Sequence, residues 1–77
     1  MKSNKLTKEN MINELNEYGY NETNLTEIVT WFYEIEEEEA NTIEKAYNIL
    51  KSNKVNFKEY ASMVNEYYTD YEYEKNH

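Results

Sequence analysis

No proline and only one glycine, Gly19, interrupt the 77 residues of this chain. A sequence so poor in breakers reads as helices, and its apolar spacing supports that. Helix one is predicted from Lys8 to Tyr18, with Thr7 as N-cap and Leu6 and Met11 spaced as a hydrophobic staple. Met11, Ile12, Leu15 and Tyr18 share its apolar face, and Gly19 stops it in the usual C′ position. Helix two is predicted to start after Asn24, with Glu27 completing an Asn-headed capping box; Leu25, Ile28, Val29, Phe32 and Ile35 form its stripe.

Helix three carries Ala40, Ile43, Ala46, Tyr47 and Leu50. The apolar spacing nearly continues from helix two through Glu36, Glu37, Glu38 and Glu39, so one long helix is the alternative. A break near Glu36–Glu39 is favoured, because a single helix of that length leaves little chain for a core. The four Glu then sit at the positive N-terminus of helix three. Lys51-Ser-Asn-Lys54 reads as a turn. Asn56 and Glu59 open helix four, which presents Phe57, Tyr60, Ala61, Val64, Tyr67 and Tyr68. The expectation is an all-α, compact bundle of about four short helices, one domain over residues 1–77 with 1–6 and 72–77 frayed.

The aliphatic inventory is four Leu, five Ile and three Val, so nine Tyr, two Phe, one Trp and three Met must help fill the core. Tyrosine can bury its ring and keep its hydroxyl wet. A core of this size supplies only about 3–5 kcal/mol, and a homodimer is one remedy.

Charge is distributed unevenly. From Glu9 to Glu44 there are eleven Glu and no Lys or Arg, whereas all eight Lys lie outside that stretch. A composition rich in Asn, Lys, Ile and Tyr suggests an AT-rich genome, which supplies Lys as readily as Glu, so mutational bias does not account for the segregation. The net charge of −8 argues against direct contact with nucleic acid or an anionic membrane and favours a basic partner. There is no Cys, hence no disulfide and no thiolate metal site. The first residues lack the apolar run of a signal peptide, and no stretch approaches a membrane span. A cytoplasmic protein is expected, and the sequons at Asn21 and Asn24 are read as chance.

Catalysis is not expected. The only His is His77, there is no Arg, and Ser3, Ser52 and Ser62 have no neighbouring base. Four consecutive Glu fan around a helix and lack the Asp/Asn alternation and Gly of a calcium loop, so neither metal nor cofactor is expected. The candidate site is an acidic surface for a protein partner: Glu14, Glu17, Glu22, Glu27, Glu34, Glu36, Glu37, Glu38 and Glu39, with Trp31 as an apolar anchor. Glu27, Glu34 and Glu38 share a face if the helix continues, and Glu14 and Glu17 do so on helix one. Trp31 and Tyr33 can equally cap the core edge. A smaller acidic–aromatic patch comprises Tyr67, Tyr68, Tyr71 and Tyr73 with Glu66, Asp70, Glu72 and Glu74.

The order Leu25-Thr-Glu-Ile-Val, Phe32, Glu36-Glu-Glu-Glu39, a third helix, Phe57-Lys-Glu-Tyr-Ala61 and Tyr67-Tyr68 resembles a helical portion of ArdA-type antirestriction proteins over about residues 21–71. In those proteins, Leu/Glu-rich helices meet at an acidic junction and another amphipathic helix with aromatics follows. They are longer and mix Asp with Glu, whereas Asp70 is the only Asp here. In size and acidity the chain also resembles anti-CRISPR proteins. Both resemblances imply a phage or mobile-element protein that occupies the nucleic-acid site of a bacterial restriction or CRISPR effector in the host cytoplasm. The rival expectation is a small helical adaptor or regulator, including an antitoxin-like one, that uses an apolar groove.

Overall fold

The helix starts are set by short polar side chains. In the computed structural model, which describes residues 5–72, α1 spans Lys8–Glu17. The Thr7 hydroxyl accepts from the Asn10 N–H at 3.1 Å. Gly19, at φ 78°, ends the helix in a left-handed turn. The Gly19 N–H donates to the Asn16 carbonyl and the Tyr20 N–H to the Leu15 carbonyl, a complete Schellman motif. Of the ends expected to fray, residues 1–4 and 73–77 lie outside the described residues. Leu6 packs against the core, and the Lys5 carbonyl accepts from the Asn10 side chain.

Helix α2 spans Glu22–Tyr33 and starts three residues earlier than the sequence suggests. Its N-cap is Asn21, whose side chain accepts from the Thr23 N–H, while the Asn24 side chain accepts from the Asn21 N–H. Asn24 therefore closes the capping box instead of opening the helix. Helix α3 spans Ile43–Ser52 behind Thr42, and α4 spans Phe57–Glu66 behind Asn56 with the expected reciprocal Glu59 bond. Helix α4 runs on into a wider π-type turn, Tyr67–Glu72.

The result is all-α, four short helices with no strand among the described residues. Helices α1 and α2 each pack on the other three. The Cα radius of gyration is 11.8 Å, close to the roughly 11.5 Å of a compact chain of this length. Met11, Leu15, Leu25, Ile28, Val29, Ala46, Leu50, Tyr60 and Val64 are fully buried. Tyr20, Met63 and Tyr67 join them, so α4 faces the core along Tyr60, Met63, Val64 and Tyr67. Phe57 and Tyr68 flank that seam. Phe32, expected in the stripe of α2, is 42% exposed, because it overhangs a groove between the end of α2 and α4 instead of entering the core.

The exit from α3 repeats the Schellman pattern, with Lys54 to Lys51 and Val55 to Leu50 bonds, but places Lys54 at φ 59°. A side chain in this region costs about 1–2 kcal/mol, part of which glycine's extra freedom in the unfolded chain offsets. Lys54→Gly should therefore gain roughly 0.5–1 kcal/mol net, read as a rise of several degrees in the thermal midpoint. A lower midpoint would mean that Lys54 has an energetic role beyond the turn.

A candidate acidic interface

The acidic junction is built by the way α2 ends. No Gly or Asn follows Tyr33, so Glu34 itself takes the left-handed position at φ 54° and its N–H donates to the Thr30 carbonyl. Ile35 N–H reaches the same carbonyl at 3.3 Å. The break thus falls at Glu34, ahead of the Glu36–Glu39 run. The shared face expected for Glu27, Glu34 and Glu38 on a continuing helix does not form, because the chain reverses between Glu34 and Glu38.

Glu36 is extended, and Glu37–Ala40 forms one 3₁₀ turn. This turn is separate from α3, whose cap is Thr42 and whose first-turn acid is Glu44. The four Glu therefore do not occupy the start of α3 as expected. Ala40 is fully buried, and its carbonyl accepts from the buried Thr26 hydroxyl at 2.7 Å. With Ala40 pinned to α2, Glu36, Glu37, Glu38 and Glu39 are all exposed.

Two adjoining depressions gather these carboxylates. Glu22, Glu37, Thr26, Asn41 and Thr42 line one of about 190 Å³. Glu36, Glu37, Glu38 and Asn41 line another of about 320 Å³. The junction thereby unites Glu22 with three of the four consecutive Glu, and Glu39 occupies the same turn.

Folding brings some lysines back to the acidic stretch. Lys8 pairs with Glu44 at 2.9 Å. That hydrogen bond and charge hold the Glu44 carboxyl below its ordinary value. The Lys8 and Lys51 ammonium groups also lie 5.6 and 5.5 Å from the centre of the Tyr47 ring. At the junction, Lys45 Nζ donates to the Glu38 backbone carbonyl at 3.1 Å.

The remaining candidates lie elsewhere. Glu14 and Glu17 are on α1 beside Tyr18, whose hydroxyl donates to Asn65 Oδ1 at 3.3 Å. Burial, then the charges of Glu14, Glu17 and Tyr68, raise the Tyr18 pKa. Glu27 accepts from the Tyr67 hydroxyl at 2.8 Å. Half-buried Trp31 meets Tyr67 edge-on, with ring centres 5.6 Å apart, and touches Phe32 at 6.0 Å. Glu27, Thr30, Trp31 and Tyr67 line a depression of about 170 Å³. Trp31 thus caps the core edge and faces a cleft at once. Thr26 and Asn41 shape the junction without having been singled out in the sequence. A hydroxyl inside the apolar run Leu25–Val29 was the one available signal.

The aromatic side chains form a continuous belt. Tyr18 stacks near Tyr20, Tyr20 meets Tyr67 and Tyr68, and Tyr67 leads through Trp31 and Phe32 to Tyr33. Of the acidic–aromatic patch, Tyr73 and Glu74 lie outside the described residues. A groove of about 470 Å³ opens beside the belt, lined by Phe32, Tyr33, Val55 and Met63 with Glu59, Glu66 and Lys58 at its rim. No group of three or more His, Cys, Asp or Glu is placed to hold a metal ion among the described residues. No helix there is long and apolar enough to cross a membrane. The chain matches no family model, no curated protein and no solved structure.

Proposed function

We propose that this chain is a non-enzymatic inhibitor that sets its acidic junction into the basic, phosphate-binding site of a nucleic-acid-binding protein. Bacterial restriction and CRISPR effectors are the target class, met in the host cytoplasm. The observation that carries the reading is the convergence of Glu22, Glu36, Glu37 and Glu38 on adjoining depressions. The nearby Lys45 ammonium bonds a backbone carbonyl there instead of a carboxylate. An ordinary solvated face mixes signs, and a concentrated one attracts the cationic groove that a DNA-binding protein keeps for phosphates.

The test is protection of a plasmid or phage from restriction or interference in bacteria expressing the chain, paired with binding of the purified target. Wild type should protect. Glu22, Glu36, Glu37 and Glu38 changed together to Gln should abolish protection while leaving the helical circular dichroism intact. Affinity should collapse between 0.1 and 1 M salt, as the screening length falls from about 10 to about 3 Å. Binding that ignores salt would sink the mimicry. The second reading, an adaptor, is favoured by the exposed Phe32 over the apolar groove. It requires Phe32→Ala to abolish partner binding and the four-Gln variant to retain it.

A further inference from the structure

The small depression beside Trp31 has a chemistry of its own. Its lining is Glu27, Thr30, Trp31 and Tyr67. The Tyr67 hydroxyl, on a side chain only 1% exposed, donates to Glu27 Oε1. This fixes the carboxylate from the core side and leaves Oε2 for a ligand. The Thr30 hydroxyl spends its proton on the Glu27 carbonyl at 3.1 Å, so toward the depression it can only accept. Beside these two acceptors stands the indole of Trp31, held edge-on by Tyr67. The volume of about 170 Å³ is below the roughly 300 Å³ at which small-molecule sites begin. It suits a single side chain.

We infer that this depression receives an arginine side chain of the protein partner. A guanidinium is planar and carries several donors. It can bridge the Glu27 carboxylate and the Thr30 oxygen while its face lies against the indole. An ammonium satisfies the charge but neither the plane nor the paired donors. Tyr67 acts as a positioning residue, because it presets the carboxylate and reduces what must be ordered on binding. The inference rests on the proposed basic partner, but the site can be tested with this chain alone.

Trp31 is the only Trp, so its fluorescence reports this depression without labelling. The probes are acetyl-Gly-Arg-Gly-amide and its lysine and citrulline counterparts, titrated at constant ionic strength. The arginine peptide should give a saturable change in the millimolar range. Citrulline keeps the shape and loses the charge, so it should bind about tenfold more weakly, as one charge-assisted contact predicts. Glu27→Gln keeps an acceptor for Tyr67 and should weaken the arginine peptide to the same degree. Tyr67→Phe should lower the ratio of arginine to lysine affinity, which a loss of fold stability alone would leave unchanged. No response to any peptide overturns the inference, as does an equal response to citrulline or from Glu27→Gln. A lysine peptide that binds as well as arginine overturns the guanidinium assignment. Any of these strikes the depression only, because the protection assay with the four-Gln variant judges the junction separately.

Discussion

Tyr60→Ala should leave the chain unfolded at room temperature. Tyr60 is the largest side chain with no exposed surface at all, and it joins α4 to α1 in two ways. Its ring belongs to the same buried core as Met11, Leu15 and Val64, and its hydroxyl donates to the Met11 carbonyl at 2.9 Å. Removing a buried aromatic ring costs about 3–5 kcal/mol, which equals the whole margin expected for a core this small. Tyr60→Phe separates the two contributions. It keeps the ring, removes one neutral hydrogen bond and should cost about 1 kcal/mol in urea melts. A folded Tyr60→Ala would show that the burial of this ring is not what holds α4 to α1.

The same pair of proteins predicts an alkaline effect of definite sign. Burial first, and the Glu14 charge second, push the Tyr60 phenol above its ordinary value of 10.0. The folded state thus holds the Tyr60 proton more tightly than the unfolded chain does. The stabilisation is complete below the unfolded value and is lost as pH rises above it toward the folded one. At one pH unit above the unfolded pKa the loss is about 1.4 kcal/mol. Tyr60→Phe has no such proton. Tyr18 and Tyr33, also raised chiefly by burial, contribute equally to both proteins. Wild type should therefore be the more stable at neutral pH, and its advantage should vanish near pH 11. A gap between the two that stays constant from pH 8 to 11 would contradict the burial of the phenol.

What the sequence revealed depends on how locally each feature is determined. Thr7, Gly19 and the Asn56–Glu59 box were legible, because a cap is satisfied by atoms three or four residues away. Asn21 and Asn24 were ambiguous for a related reason: they bond to each other's backbone region, and either can serve as the cap by residue type. The end of α2 had no local signal. Glu34 takes a left-handed conformation that its residue type does not favour, so tertiary packing imposes it, through Ile35 against the core and Ala40 inside it. The lysine-free stretch was visible at once, but its electrostatics were not. Lys8 reaches Glu44 across 36 residues of sequence, a pairing that exists only once α1 and α3 meet. Tyr60, Val64 and Tyr67 of the α4 seam were legible, but Met63 was missed because Phe57, Ala61 and Tyr68 extend an equally regular stripe on the other side, and only the neighbours on α1 and α2 choose between the two.

Thr26→Val tests whether the junction's shape, as distinct from its charge, matters. The substitution conserves volume at a side chain 9% exposed and removes only the hydroxyl that the buried Ala40 carbonyl accepts from. An unanswered buried carbonyl costs about 1–3 kcal/mol, so the thermal midpoint should fall by several degrees or more. The loss should also be local. In hydrogen exchange, the amides of Glu39, Ala40 and Asn41 should lose protection, whereas those of α1 and α4 should change only with the global stability. Thr26→Ser keeps the hydroxyl and loses one methyl, so it should restore the junction's protection at a cost of about 0.8 kcal/mol. No carboxylate changes in either variant. If an ordered acidic surface engages the target, Thr26→Val must weaken binding even below its melting range, and Thr26→Ser must recover it. Equal binding by wild type and Thr26→Val would mean that the Glu residues act as a diffuse field, for which the 3₁₀ turn and its anchor to α2 are irrelevant.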